Sequence, residues 1–203
     1  MKKTRLEQMQ EQMIYKLEFQ HGQRVASAME EEYRILCRSD ADYPQDLIRH
    51  LHKNIFPVAA AFRALMRYGM ERDKAAELTQ TAFLELMAKP AAVIRRFCRI
   101  PGVYRLIPGI FAKFMPKLFK ADAGFVFRFH PSDRNKVKFD MIDCPYCRVC
   151  SKIDCPELAA AFCTTDDICY GNMHPRLSWN RTQTIARGGD ICDFELEITD
   201  PEK

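Results

Sequence analysis

The chain has no apolar run that approaches the roughly 20 residues of a membrane-spanning helix, so the sequence predicts no integral membrane association. It also has no apolar signal stretch after Met1, and its nine cysteines are an odd number. These absences argue against a secreted domain held together by disulfides. We therefore expect a cytoplasmic protein with free thiols.

Acidic side chains are missing from residues 86–121, although the whole chain carries 27 of them and a net charge of +4. Four prolines divide this stretch, which predicts short helices that bury an apolar face and extend basic side chains into solvent. A cradle for an anionic ligand and a contact with a membrane surface are the alternatives. No nucleic-acid-binding motif accompanies the charge, so we expect no nucleic acid partner. The basic residues of the stretch are Lys89, Arg95, Arg96, Arg99, Arg105, Lys113, Lys117 and Lys120.

Residues 1–120 are predicted to be helical throughout. Apolar residues recur at three- and four-residue spacing over residues 4–37, which indicates a helix that Gly22 is placed to interrupt. A second helix is predicted over residues 44–69, with a kink at Pro57. A third is predicted over residues 71–89, ended by the proline that follows it. The histidines of this region, His21, His50 and His52, have no cysteine or acid beside them in sequence, so we interpret them as surface or core residues.

Strand patterns replace helical ones after residue 121. Residues 124–130 and 136–143 alternate apolar and polar side chains on either side of a turn-forming segment, which predicts a β-hairpin. Residues 176–185 and 191–198 predict a second hairpin, and residues 156–169 predict a helix between the two.

These patterns predict an α+β fold, in which an N-terminal helical bundle packs on a small antiparallel sheet of about four strands with a helical insertion. The helical region is expected over residues 1–120 and a cysteine-rich α+β region over residues 121–203. We expect the two regions to form one compact domain. The sequence predicts no particular oligomeric state.

Seven of the nine cysteines lie in the last 60 residues, and thiolates are both strong nucleophiles and good ligands for soft metals. The spacing of Cys144, Cys147, Cys150 and Cys155 nearly matches a bacterial ferredoxin run, whose last interval is shorter by one residue. An iron–sulfur cluster or a zinc ion is therefore an alternative interpretation, with a redox or metal-binding function. Incidental thiols and buried structural cysteines are the other interpretations, and we expect no cofactor.

Five short motifs follow one another in residues 121–199. They are a strand running into Cys-Pro-Tyr (139–146), Pro-Glu-Leu (156–158), Cys-x-x-Asp (163–166), Arg-Thr-x-Thr-Ile (181–185) and Gly-Gly-Asp-x-Cys-Asp-Phe (188–194). Their order resembles the L-2-amino-thiazoline-4-carboxylic acid hydrolase family. The resemblance implies a hydrolase of a non-peptide C–N bond that opens the ring of a cyclic amidine, a small-molecule substrate, to give N-carbamoyl-cysteine.

Hydrolysis of an amidine needs a nucleophile, or an activated water, and an acid that protonates the departing ring atom. Cys163 is the first candidate nucleophile because Asp166 lies one helical turn further on. Cys144 and Cys192 are the competing nucleophiles, and Asp190 is the competing acid or base. We expect at least one of the three cysteines to be indispensable.

Substrate binding is assigned to Arg181, Thr182 and His174. A cation such as Arg181 or His174 would also offset the effect of a neighbouring carboxylate, which raises the pKa of a thiol. A third class of function is a small-molecule sensor, in which the sheet and helices enclose an apolar pocket without chemistry.

Overall fold

The computed structural model describes residues 11–16, 18 and 21–199. Its helices and its four-stranded antiparallel sheet confirm the predicted α+β class. The chain divides into two compact units: the first comprises Met1–Leu86 and Arg148–Ala161, and the second comprises Met87–Cys147 and Phe162–Lys203. Within the described ranges, no helix is both long and apolar enough to cross a membrane.

The first unit is built mainly from three helices, α1 (Gln23–Cys37), α3 (Phe56–Arg67) and α4 (Arg72–Leu86), with α3 packed against the other two. The chain enters α1 through Gly22, whose φ of 84° is a left-handed value that glycine adopts without steric cost. Residues 11–16 are helical as well, so the predicted interruption at Gly22 is confirmed. The predicted helix also covers residues before 11, which lie outside the described residues.

A widened helical turn interrupts the predicted helix over residues 44–69. Helix α2 spans Gln45–His50, a π-helical turn spans Leu51–Ile55, and α3 follows at once. Pro57 stands in the first turn of α3, where a missing N–H costs no helical hydrogen bond. A kink was predicted at Pro57, and the irregular turn lies just before that residue. His52 is part of this π-helical turn.

The segment Arg148–Ala161 belongs to the first unit through arginine side chains of α3 and α4. Arg63 Nη2 donates to the Ile153 carbonyl at 2.7 Å, and Arg72 Nε lies 2.7 Å from a carboxylate oxygen of Glu157. Cys150 and Cys155 are fully buried in this segment. These contacts fix the position of a stretch that is distant in sequence from the helices it joins.

Short helices form the basic stretch of the second unit: α5 (Ala88–Cys98), a 3₁₀ turn (Val103–Leu106) and α6 (Ile107–Leu118). Pro90 was expected to end a helix, yet it lies in the first turn of α5, where proline is tolerated. Helix α6 packs on the sheet, where buried Phe111 contacts Trp179. The apolar faces are only partly buried, because Val93 and Leu106 remain 68% and 61% exposed.

The sheet contains β1 (Val126–Phe129), β2 (Lys136–Asp143), β3 (Leu177–Asn180) and β4 (Cys192–Ile198) in the order β1-β2-β4-β3. All neighbours are antiparallel, so both predicted hairpins are present. The register of β2 and β4 places Phe139 opposite Phe194, and the two rings stack at 4.9 Å. Helix α7 (Pro145–Lys152) follows β2. A 3₁₀ turn (Pro156–Leu158) and α8 (Ala159–Tyr170) form the predicted helical insertion.

Candidate functional site

A loop of the second unit, residues 181–191, connects β3 to β4 and is held by the carboxylate of Asp193. Strand β3 was predicted to reach residue 185, yet it ends at Asn180. The reason is that the backbone N–H groups of Thr182 and Gln183 donate to Asp193 Oδ1 at 3.0 and 2.8 Å instead of to a strand. The Thr182 hydroxyl donates to Asp193 Oδ2 at 2.6 Å. Burial acts against ionisation of Asp193, but these hydrogen bonds outweigh it and lower the pKa of Asp193.

Two glycines close this loop, and each is needed for a different reason. Gly188 has a φ of 88°, which side-chain-bearing residues rarely adopt. A Cβ atom on Gly189 would lie 2.8 Å from the side-chain oxygen of Gln183 and 3.1 Å from the carbonyl oxygen of Thr184. The predicted glycine turn therefore also brings residues 183 and 184 close to the start of β4.

Two thiols meet beside this loop, Cys163 from α8 and Cys192 from β4. Their side chains hydrogen-bond to each other, and the Ile185 N–H lies 3.3 Å from Cys192 Sγ. The hydrogen bond from Cys163 lowers the pKa of Cys192, and the Ile185 N–H and the Arg181 charge act in the same direction against burial. The same bond and burial raise the pKa of Cys163. Cys192 is therefore the more acidic thiol of the pair, and Cys163 is the S–H donor.

Arg181 supplies a buried positive charge at this site. Its side chain is only 3% exposed, and its Nη2 donates to Asp167 Oδ2 at 2.5 Å and to the Cys163 carbonyl at 3.1 Å. Its Nη1 lies 3.6 Å from Asp166 Oδ2. Trp179 Nε1 donates to the other oxygen of Asp167 at 3.2 Å, so Asp167 is held on both sides. One buried cation thus orients two consecutive carboxylates on α8.

Asp166 differs from its neighbour because it ionises late. Burial among protein atoms raises its pKa to about 8, against the lowering effect of Arg181, and Cys163 and Asp167 add to the rise. About a third of the side chain, 32%, still reaches solvent, so the carboxyl group can exchange protons. At neutral pH this site therefore holds a protonated carboxyl group beside a thiol pair.

A cavity of about 180 Å³ opens beside the loop. Two of its lining residues bury a polar atom that has no hydrogen-bond partner among the described residues: Nη1 of Arg181 and Oγ1 of Thr184. Thr184 is 2% exposed, and unpaired polar atoms this deeply buried are rare and costly in free proteins. The other lining residues are Thr182, Gln183, Arg187 and Gly189. Two residues of the cavity lining thus carry a buried donor and a buried hydroxyl group without a hydrogen-bond partner among the described residues.

A second thiol pair lies where β2 runs into α7. The Cys144 sulfur accepts hydrogen bonds from the backbone N–H groups of Tyr146 and Cys147 at the start of the helix. A hydrogen bond to the Cys147 side chain and burial nevertheless raise the pKa of Cys144. Cys147 also acts electrostatically on Cys192, which indicates that the two pairs are neighbours. Cys144 is thus close to the site, but it is a weaker acid than Cys192.

The remaining predicted residues lie elsewhere or carry other contacts. Asp190 is exposed at the end of the glycine turn, and the described contacts join it to neither thiol. His174 stacks on Tyr104 with ring centres 4.5 Å apart and accepts a hydrogen bond from the Arg176 N–H. Burial and Arg176 lower the pKa of His174. Over the described part of the chain, no group of three or more His, Cys, Asp or Glu side chains is arranged to hold a metal ion.

Two contributors were missed by the sequence analysis. Thr184 was named only as part of a strand motif, and nothing in the sequence marks a hydroxyl that will be buried without a partner. Asp167 was not proposed as a site residue. Its neighbour Asp166 gave the stronger signal, because the spacing from Cys163 can be read directly from the sequence.

A sequence profile of the L-2-amino-thiazoline-4-carboxylic acid hydrolase family matches residues 48–196. The match covers well over half of the chain, so the protein belongs to this family and the resemblance of its motifs is confirmed. It includes every residue of the thiol pair, the loop and the cavity. No curated protein matches the chain.

Proposed function

We propose that this protein hydrolyses a small cyclic amidine that carries a carboxylate, with 2-amino-thiazoline-4-carboxylate as the reference substrate. The observation that carries the proposal is the Cys163–Cys192 pair, in which Cys192 is the more acidic thiol beside a protonated Asp166 and a buried Arg181. Family membership supports a hydrolase, and the pair supplies the nucleophile that such a reaction needs.

The atoms of the family reaction decide which bond breaks. N-carbamoyl-cysteine keeps both nitrogens on the carbon that was the amidine centre, so the bond lost from the thiazoline ring is carbon–sulfur. A C–N bond was expected from the family resemblance, and the atoms of this reaction show that the expectation was wrong. The group that needs a proton in the reaction is therefore the ring sulfur.

In the first step, the Cys192 thiolate attacks the amidine carbon and the ring carbon–sulfur bond breaks. Asp166 gives its proton to the departing sulfur, which leaves an isothiourea attached to Cys192 and a carboxylate at Asp166. Cys163 holds Cys192 in its ionised form through the S–H hydrogen bond. Its role is to position and acidify the nucleophile.

In the second step, a water molecule gives one proton to the Asp166 carboxylate, and its oxygen attacks the same carbon. The Cys192 sulfur departs as a thiolate, and the second water proton ends on a nitrogen of the new urea group. The thiolate and the protonated Asp166 are restored, so the cycle consumes only the amidine and one water.

The substrate carboxylate is assigned to the cavity. Arg181 is paired with Asp167, and Arg187 adds a positive charge to the cavity lining. A carboxylate can accept from Arg181 Nη1 and from the Thr184 hydroxyl, neither of which has a hydrogen-bond partner among the described residues. The Cys192 sulfur accepts a hydrogen bond from the N–H of Ile185, which is the residue after Thr184. Cys192 therefore lies just behind this lining.

The test is an assay of the purified protein with 2-amino-thiazoline-4-carboxylate, read as thiol release and as the mass of N-carbamoyl-cysteine. We expect turnover by the natural chain and by Cys98→Ser, and loss of turnover in Cys192→Ser. Cys98 is the matched control because it is a buried thiol of the same unit whose pKa is raised by burial alone. Absence of turnover in the natural chain would reject the substrate, and full turnover in Cys192→Ser would reject the nucleophile.

A further inference from the structure

A separate thiol, Cys37, lies beside a histidine and a carboxylate in the first unit. His52 Nδ1 is 3.8 Å from Cys37 Sγ, and His52 Nε2 is 2.8 and 3.0 Å from the two oxygens of Asp40. Cys37 and Asp40 precede residues 48–196, which match the family, so family membership does not account for this arrangement. His52 was interpreted from the sequence as a surface or satisfied core residue, and the structure shows a half-buried ring whose partners are distant in sequence.

Local structure holds the His52 ring in one orientation. The residue lies on the π-helical turn Leu51–Ile55, a rare form that frequently occurs at functional sites. The ring packs against Tyr33 and Phe56, with centroid distances of 5.9 and 5.7 Å. Because Asp40 accepts a hydrogen bond, it sets the tautomer with hydrogen on Nε2, which leaves Nδ1 as the acceptor that faces the thiol.

Two donors compete for the single lone pair of His52 Nδ1. One is the Tyr33 hydroxyl, 3.0 Å away, and the other is the Cys37 S–H. If the thiol proton moves to Nδ1, the new N–H donates to the sulfur, and the Tyr33 hydroxyl can donate to it as well. Both hydrogen bonds then stabilise the thiolate that the transfer creates.

The isolated thiol is a weak acid, so the histidine is necessary. Burial raises the pKa of Cys37 and the charge of Asp40 adds to the rise, while the Tyr33 hydrogen bond opposes them. A thiolate must therefore form by transfer to His52 at the moment of reaction. Cys37 is partly exposed, and the His52 and Asp40 side chains are 21% and 37% exposed, so a small solute can reach them.

The geometry points to Cys37 as a nucleophilic thiol site that undergoes exchange with low-molecular-weight disulfides, with His52 as its general base and Asp40 as a positioning residue. The thiol proton passes to His52 Nδ1, and the Cys37 sulfur attacks one sulfur of the disulfide. A new sulfur–sulfur bond forms on Cys37 as the reagent's own bond breaks. The departing thiolate takes the proton from His52, so one disulfide and one thiol give one mixed disulfide and one thiol.

The experiment treats the full-length protein with oxidised glutathione at pH 7 and measures adducts by intact mass and by peptide mapping. We expect the Cys37 peptide to gain glutathione, while the peptide of buried Cys98 stays unmodified in the same digest. His52→Gln should slow the Cys37 reaction by about tenfold or more, because general-base assistance is lost. Asp40→Asn and Tyr33→Phe should slow it by smaller factors, since each leaves the histidine in place.

The urea midpoint of each variant establishes that the first unit is still folded. An unchanged Cys37 rate in a folded His52→Gln protein would overturn the proposal. It would also be overturned if Cys37 of the natural chain stayed unmodified when the urea-unfolded chain reacts. Should His52→Gln fail to fold, the same decision rests on Tyr33→Phe, where an unchanged or faster rate contradicts the predicted hydrogen bond to the thiolate.

Discussion

The two compact units each place a cysteine beside a group that changes its ionisation, but they use opposite means. In the second unit, the Cys163 S–H donates to Cys192 and lowers its pKa, with help from the Ile185 N–H and Arg181. In the first unit, burial raises the pKa of Cys37, and the neighbouring group is a base, His52. The acidity of Cys192 is thus increased by groups that stabilise its thiolate, whereas Cys37 needs a base that takes its proton during the reaction.

Exposure separates the two thiols further. Cys192 is 2% exposed and accepts a hydrogen bond from the N–H of Ile185, the residue after Thr184 in the cavity lining, so solutes do not reach its sulfur freely. Cys37 is partly exposed. Burial can therefore restrict an acidic thiol to a selected ligand, while an accessible thiol gains reactivity from a neighbouring base.

The largest expected effect is a double dissociation between the two cysteines. Cys192→Ser should lower kcat for thiazoline hydrolysis by at least about a thousandfold, because the nucleophile is lost. It should leave the rate of Cys37 glutathionylation within about twofold, since independent sites have additive effects. Cys37→Ser should give the reverse result. The two assays on the two variants form the measurement.

A graded variant completes that test. Cys163→Ala removes the S–H donor but keeps Cys192, so hydrolysis should fall by about tenfold and the apparent pKa of Cys192 alkylation should rise. If Cys163→Ala abolished activity while Cys192→Ser retained it, the two roles would be exchanged.

Asp166→Asn should lower kcat by about a hundredfold, because a positioned acid is removed from the reaction. Activity of the natural chain should fall as the pH rises through about 8, the pKa to which burial raises Asp166. The variant should lose this alkaline fall, and a pH–rate profile measures it. An unchanged fall near pH 8 in Asp166→Asn would assign that limb to another group.

The same carboxyl group links pH to folding. Its folded pKa lies above the unfolded value, so its contribution to stability is complete at low pH and is lost as the pH rises towards about 8. Urea midpoints of the natural chain should therefore fall over that range relative to those of Asp166→Asn.

Thr184→Val tests whether the unpaired hydroxyl serves a ligand. The substitution keeps the shape and removes a buried oxygen without a partner among the described residues, so the free protein should become more stable by about 1 kcal/mol. KM for the carboxylated substrate should rise by about tenfold, because one hydrogen bond to the carboxylate is lost. Thr182→Val is the matched control, since the Thr182 hydroxyl already donates to Asp193 and its loss should destabilise the loop. Stabilisation without any change in KM would remove Thr184 from the site.

Much of the fold could be predicted because its signals are local. Alternation of side chains and turn residues located both hairpins, and i, i+3 spacing placed Cys163 and Asp166 on one helix face. The length of β3 could not be predicted. Residues 181–185 have the β-branched composition of a strand, but Asp193, eight or more residues later, captures the N–H groups that a strand would use.

The residues of the candidate site could be named from the sequence, but the relative acidity of its two thiols could not be predicted. Sequence spacing favoured Cys163 as the nucleophile, whereas the direction of the hydrogen bond between two sulfurs makes Cys192 the stronger acid. That direction depends on the Ile185 N–H and Arg181, which reach Cys192 only in the folded chain. The contacts of His52 could not be predicted for a similar reason. Its partners lie 12 and 15 residues away in sequence, and the ring reaches them from a π-helical turn.

The smallest expected effect concerns the sheet that carries Cys192. Asp140 pairs with Asp193 in the register of β2 and β4, and its side chain is 4% exposed. Burial acts to raise the pKa of Asp140, but hydrogen bonds from Arg128 and His130 outweigh it and lower the pKa. A lowered folded pKa gives stability that is present above the unfolded value and is lost as the pH falls through the folded one.

Asp140→Asn should therefore destabilise the protein by about 1–2 kcal/mol at pH 7, and by progressively less as the pH falls through the lowered pKa of the natural carboxyl group. Urea unfolding over this pH range measures the difference. The glutathionylation rate of Cys37 under native conditions should stay unchanged, because that thiol depends on contacts of the first unit alone. A change in that rate in folded Asp140→Asn protein would show that the two thiol sites are coupled. The contrast between a thiol made more acidic by its neighbours and a thiol activated by its own base would then have to be restated for the protein as a whole.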